Sequence, residues 1–383
     1  MTLREILSSE PLRQCEFPVA RDKIFLAHAG VCPLPLRVAD AIRNYAALGT
    51  QGDQETLLPA RQIHRSRELG ARLLHALPEE IAFVGPTSLA LSFIAAGLDW
   101  QTNDNILIYL DDYPANVYPW LALAGRGVNV RFLHASELGC IGPMDVLDQV
   151  DPQTRLVALA SCHFVSGYRI DLNAIGQALH QRNILFCVDA IQTLGAFPTT
   201  VEHVDFLAAD AHKWLLGPCA AGILFVRRSL QERVRPAVFG WNNVRCPHFV
   251  AQQEMIFRPD ARRYEAGSLN LLGLVGLTAA MELILEIGVE NIAAELLRKR
   301  ALLVPALKRK GCAVLNTEAD SSNASGIVTF CRDGTDMAAL CEKLEAANII
   351  TSLRFDRAGR QYLRLSPHFY NTDAELGRLL EMV

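Results

Sequence analysis

The stretch ILFCVDAIQTLGAFPTTVEHVDFLAADAHKWLLGPCAAGILFVRR, Ile184–Arg228, holds the residue types best suited to chemistry. Asp189 closes one apolar run, and His212 and Lys213 follow the next. Where two such runs are strands of an open α/β sheet, their carboxyl ends border the crevice in which these sheets bind ligands. A lysine there can condense with an aldehyde, and a carboxylate can keep a pyridine nitrogen protonated so that the ring withdraws electrons. That pairing suits pyridoxal 5′-phosphate (PLP). Taken singly, each residue also has a plainer explanation, Asp189 as a helix cap and Lys213 as an ordinary strand-end lysine.

The elements that must position them are legible as alternating short apolar runs and helical patterns. Candidate strands are Ile81–Val84, Asn105–Leu110, Val128–Leu133, Leu156–Ala160, Ile184–Val188, Asp205–Ala209 and Gly222–Val226. Most lack a polar face, as strands covered by helices on both sides do. Helical patterns such as Leu89–Leu98 and Leu172–Arg182 lie between them. The order predicts an α/β domain with a largely parallel sheet. After Asn270 a long apolar-periodic stretch breaks near Gly288, and a second helix follows with a basic end that suits the helix dipole. Strand patterns return at Gly326–Phe330, Ile349–Arg354 and Gln361–Leu365, with a helical pattern at Met337–Ala346. This predicts a smaller α+β unit at the C-terminal end.

Composition narrows the classes. The chain has 383 residues, half of them hydrophobic, and a net charge of −4, so no basic excess points to nucleic acid or an anionic membrane. The ten cysteines are scattered, with no CxxC pair or Cys/His spacing to predict a metal site. A disulfide framework is not expected in so long a chain, and a reducing cytoplasm is the expected compartment. The N-terminus lacks the apolar stretch of a signal peptide, and no segment has the uninterrupted apolar length to span a bilayer.

VDAIQ, a strand, and then AADAHKWLLGP resemble the class V aminotransferases, fold-type I PLP enzymes that include cysteine desulfurases and isopenicillin N epimerase. The resemblance runs over nearly the whole chain. It implies a fold-type I architecture: a large α/β domain over 21–285 with a mostly parallel seven-stranded sheet, a small α+β domain over 286–383, and residues 1–20 packing on the small domain. It implies that Lys213 carries PLP as a Schiff base, that Asp189 pairs with the pyridine nitrogen, that Gln192 bonds the ring hydroxyl and that His212 helps hold the phosphate. Asp210, in the same AADAHK segment, joins the cofactor-binding set.

Other segments extend the likeness. FLAHAGVCPLP, Phe25–Pro35, is similar to the family's segment on the substrate side of the cofactor, which puts His28 and Ala29 at the substrate. GPTSLALSF places Thr87 and Ser88 at a helix start, where free N–H groups, the helix dipole and two hydroxyls suit a phosphate. An ordinary N-cap would read the same way. The family commonly has Glu and Gly after this pair, where this chain has Leu89 and Ala90. DDYPANVYPWLAL aligns Tyr113 with the aromatic that stacks on the PLP ring, although desulfurases usually carry His there, and a packed core aromatic is the plainer alternative. In SCHFVSGYRID either His163 faces the site or it is a satisfied core histidine, with Phe164 beside it. RRYEAGSLN resembles the signature that reaches the partner subunit's cofactor phosphate, which implies a homodimer with Ser268 donating across the interface. YLRLSPHFYNT puts Arg364 where the substrate α-carboxylate is taken by a two-pronged guanidinium contact.

The reaction is read mainly from an absence. A desulfurase needs a mobile thiol shortly before the carboxylate-binding arginine, and TSLRFDRAGRQYLRLS holds no cysteine. Cys341 lies in a helical pattern, and Cys32 is near the substrate segment but not at the usual position. The expectation is a desulfurase-like C–S lyase acting on an L-amino acid. An aminotransferase or epimerase of the same family is the alternative, and a non-catalytic PLP- or amino-acid-binding protein is the alternative of another class.

Overall fold

The computed structural model describes residues 1–383. Thirteen strands run in chain order: β1 Ile24–Phe25, β2 Ile81–Phe83, β3 Asn105–Ile108, β4 Asn129–Phe132, β5 Thr154–Ala160, β6 Leu185–Asp189, β7 Phe206–Asp210, β8 Gly222–Val226, β9 Ala313–Val314, β10 Val328–Cys331, β11 Ile349–Ile350, β12 Ser352–Phe355 and β13 Gln361–Leu365. Seven of them form one sheet in the order β2-β8-β7-β6-β5-β3-β4. Only β8 runs against its neighbours. The mostly parallel sheet expected from the apolar runs is therefore present.

Along the central strands side chains alternate between two apolar layers. Val157, Phe186, Val188, Leu207 and Ile223 point into one, with Leu277 and Met281 of the helix Leu271–Ile287. Leu156, Cys187, Phe206 and Leu224 point into the other, with Leu91 and Ile94 of the helix Thr87–Gly97. Burial on both faces explains why these strands carry no polar alternation. Truncating one such side chain, for example Leu207→Ala, costs about 2–5 kcal/mol.

A second sheet, β12-β13-β10-β9, is antiparallel throughout. It packs with the helix Val289–Arg309 around Leu303, Phe330, Leu363 and Leu376. The helical break falls at Gly288, whose φ of +87° favours glycine. Two expectations need correction. The run Ile349–Arg354 is not one strand: β11 pairs in parallel with β1, and β12 pairs with β13. Residues just after 20 also join the C-terminal unit rather than the large one, because β1 bonds β11 and Ile24 and Leu26 pack in its core. The N-terminal helix Glu10–Glu16 sends Arg13 to Glu375 at 2.8 Å, and Phe17 stacks on Tyr370.

Candidate active site

The carboxyl ends of β6 and β7 lie side by side, since the two strands pair in parallel. Asp189 is the last residue of β6 and Asp210 the last of β7. The loop that follows carries Lys213 back over the sheet edge before β8 returns. Lys213 is buried and its Nζ has no hydrogen-bond acceptor within the chain. It sits 5.1 Å from the centre of the Tyr113 ring. Burial, followed by the charges of Arg364 and Arg354, lowers its ammonium to about 8 against the pull of Asp189. Such a lysine is a ready nucleophile for a carbonyl.

Asp189 is buried, and burial raises its carboxyl above the usual range. Oδ1 accepts from the Ile191 N–H at 3.0 Å, and Oδ2 is left free. A buried carboxylate with an open oxygen suits a cationic ring nitrogen as its partner.

Asp210 spends most of its hydrogen-bonding capacity on its own loop. Oδ1 accepts from the N–H groups of Ala211 and Ala221, and Oδ2 accepts from that of Ala220. The carboxylate folds the lysine loop back on itself, with Oδ1 filled by two N–H groups and Oδ2 holding a third. The same loop holds Leu216 and Ala220 in left-handed backbone conformations, which strain non-glycine residues by about 1–3 kcal/mol each. His212 Nδ1 lies 3.0 Å from Asp210 Oδ2 but off the hydrogen-bonding direction, so the ring remains available to another partner.

Thr87 opens the helix Thr87–Gly97, and its hydroxyl accepts from the Asp210 N–H at 3.0 Å, which ties the helix start to the lysine loop. Leu89 and Ala90 bond the Pro86 carbonyl, while the N–H groups of Thr87 and Ser88 have no backbone acceptor. Two open amides and the Ser88 hydroxyl thus face outward at the positive end of the helix, donors that fit a phosphate.

Arg364, on β13, is 1% exposed. Nη1 donates to the Phe164 carbonyl at 2.6 Å, while Nε and Nη2 have no partner. Burial and the neighbouring Arg354 lower its guanidinium well below the usual value. An unpaired edge of a buried guanidinium matches the two oxygens of a carboxylate. Tyr113 is half exposed and meets Phe164 edge-on at 5.4 Å. Phe164 therefore stands at the site. His163 does not reach it, because its ring is engaged by Ser166 Oγ and the Asp111 carbonyl.

Three further residues lie differently from expectation. Both nitrogens of His28 are engaged, by the Ser366 carbonyl and the Tyr370 hydroxyl, so its ring is held in the interior with no free atom for a substrate. The Ala29 N–H is held by Ser366 Oγ and its carbonyl accepts from Gln192 Nε2, whereas a Cβ on the next residue, Gly30, would lie 3.8 Å from Arg364 Nη2. Gln192 Oε1 accepts from Trp214 Nε1 at 2.8 Å, which leaves one amide hydrogen to offer a ring hydroxyl. Ser268 is exposed and bonds Glu55 at 2.6 Å, with no contact to the Lys213 crevice of its own chain. Arg354, which sequence reasoning passed over, stands beside Arg364. The residues present thus fit PLP: an amine, an open carboxylate, a phosphate cradle and a carboxylate receptor share one crevice.

A sequence profile of class V aminotransferases matches residues 24–379. The chain belongs to the class V aminotransferase family, a family of PLP-dependent enzymes. A probable cysteine desulfurase of Methanothermobacter thermautotrophicus is 28% identical over 98% of both chains. A cysteine desulfurase of Dickeya dadantii is also 28% identical, over 78% of this chain and 77% of its own. Among solved structures, the apo cysteine desulfurase of Thermococcus onnurineus superposes with a TM-score of 0.88 at 22% identity, over 96% of this chain and 95% of that one. The cystine C–S lyase C-DES, solved with its product cysteine persulfide, gives 0.85 at 22% identity over 95% and 98%. These likenesses carry the fold.

Proposed function

We propose that the protein is a PLP-dependent C–S lyase that eliminates the sulfur substituent of an L-cysteine derivative. The observation that carries this reading is the turn between β12 and β13. It is closed by bonds from Gly359 N–H and Arg360 N–H back to Asp356, and no cysteine lies on it. Cys341 sits in the helix Met337–Ala346 against Thr351. Cys32 is buried, bonds the Gly217 carbonyl, and has its thiol pushed up to about 12 by burial, which makes it a poor sulfur acceptor. Nothing else is needed for elimination.

When bound, PLP supplies an electron sink for negative charge at the substrate Cα. Asp189 holds the ring nitrogen protonated, and Arg364 grips the α-carboxylate. Lys213 would take up the Cα proton on its amine and return a proton to the departing sulfur. Tyr113, whose ring centre lies 5.1 Å from Lys213 Nζ, would shield the reacting amine from water. Overall, a cysteine thioether and water give a thiol, pyruvate and ammonium.

We further propose a homodimer in a reducing compartment such as the cytoplasm. The exposed apolar side chains Phe239, Trp241, Phe249, Val250 and Met255 support a covered face, and Ser268 is exposed, its hydroxyl held by the exposed Glu55 alone. Ten free cysteines support the compartment. The test is direct. The purified protein should show a visible band with PLP that borohydride bleaches and that Lys213→Ala lacks. It should also release pyruvate and ammonia from cysteine thioethers or cystine without added keto acid. Turnover that requires a keto acid would point to transamination instead, and inverted stereochemistry to epimerisation.

A further inference from the structure

We infer that Arg354 receives a second negative charge on the substrate, so that the preferred amino acids carry an anionic group beyond the sulfur. This rests on the lyase reading above and names its substrate class. In the β12–β13 hairpin Ser352 pairs with Arg364, and Arg354, two residues on, shares its face. Diagonal neighbours on one face are within reach of long side chains. A Cβ on Gly30 would lie 3.8 Å from Arg364 Nη2 and 3.9 Å from Arg354 Nη2, so both guanidinium groups converge on the gap that this glycine leaves.

Neither cation has a carboxylate partner, in contrast to the buried Arg13 with Glu375 and Arg67 with Glu265. The one hydrogen bond of Arg354 goes to the adjoining Leu353 carbonyl. Lys213 adds a third positive group nearby, with Asp189 as its counter-charge. One α-carboxylate fills the open edge of Arg364, since two oxygens match Nε and Nη2. Arg354, on the Tyr113 side, then still faces the gap at Gly30 without a carboxylate partner. The substrate's side chain is the group that would bring a second anion to this guanidinium.

The experiment uses the PLP-loaded enzyme with S-carboxymethyl-L-cysteine, which ends in a carboxylate, and S-ethyl-L-cysteine, which does not. The first, with water, would give pyruvate, ammonium and mercaptoacetate. The expected result is a kcat/KM at least about tenfold higher for the carboxymethyl substrate, the size of one charge-assisted contact. In Arg354→Gln that ratio should fall toward one, and in Arg354→Lys it should survive in part. Absence of a preference in the unaltered enzyme, or equal losses on both substrates in Arg354→Gln, overturns the inference. The affinity of each compound is also read from its effect on the visible band, which needs no elimination. A preference seen there without pyruvate would sink the lyase reading and leave the anion site standing, and no spectral response to the carboxymethyl compound overturns the site.

Discussion

Arg357, at the tip of the β12–β13 hairpin, places Nε 2.6 Å from Asp111 Oδ1 and Nη2 2.8 Å from the Leu110 carbonyl. Asp111 stands two residues before Tyr113, and the same hairpin carries Arg364. A single side chain therefore clasps the hairpin that carries Arg364 to the loop that carries Tyr113. In the desulfurase pattern a mobile cysteine loop would occupy this place.

Opening that clasp should loosen substrate binding more than chemistry. The pair is partly exposed, so its intrinsic worth is about 0.2–1 kcal/mol. Arg357→Ala is expected to raise KM for the amino acid a few-fold, leave kcat nearly unchanged and shift Tm little. Steady-state kinetics on both enzymes check this, and an equal fall in kcat would refute a positioning role.

The amine of Lys213 should govern the pH dependence of cofactor loading. With its ammonium lowered to about 8, mainly by burial, the reactive free amine forms as pH rises through that value, well below the ordinary lysine range. At pH 7 about a tenth of the cofactor-free protein holds the neutral amine. The rate of PLP capture should climb with pH and level off above about 9. Stopped-flow absorbance across this range tests it; a rate still climbing at pH 10 would mean that burial does not tune this lysine.

Arg364 should stabilise function and oppose folding. Its two unpartnered nitrogens are buried, so the empty site bears a desolvation cost of about 1–3 kcal/mol. Arg364→Leu is expected to raise the Tm of the cofactor-free protein while abolishing amino-acid binding. Arg364→Lys should also bind poorly, because an ammonium cannot reproduce the planar two-pronged contact. Thermal unfolding and spectral titration separate the two effects.

Asp210 should behave as a fold residue with a catalytic consequence. Asp210→Asn keeps one acceptor oxygen where three backbone N–H groups need two, so it should cost about 1–3 kcal/mol of stability. PLP should still bind, with weakened affinity, as the lysine loop relaxes. A Tm unchanged from the parent protein would contradict this.

Much of this site could be read from local pattern, because Asp189, Lys213 and Thr87 lie where apolar strands end. Strand ends are marked by hydrophobicity, and parallel neighbours bring them to one edge. What escaped was decided by tertiary contact. Asp210 reads like a cofactor ligand until its oxygens are seen to serve the backbone. His28 and His163 carry the right chemistry, yet their hydrogen-bond partners come from 338 and 52 residues away. Arg354 became visible only through the hairpin register, and that register depends on splitting Ile349–Arg354 between two sheets.

The way Asp210 ties down its loop has a consequence for the life of the protein before it meets cofactor. The strained backbone at Leu216 and Ala220 is held by bonds that lie wholly within the chain. The loop that carries Lys213 is therefore shaped by contacts within the chain itself. Little ordering remains to be done on binding, so the affinity for cofactor is not drained by folding a loop around it.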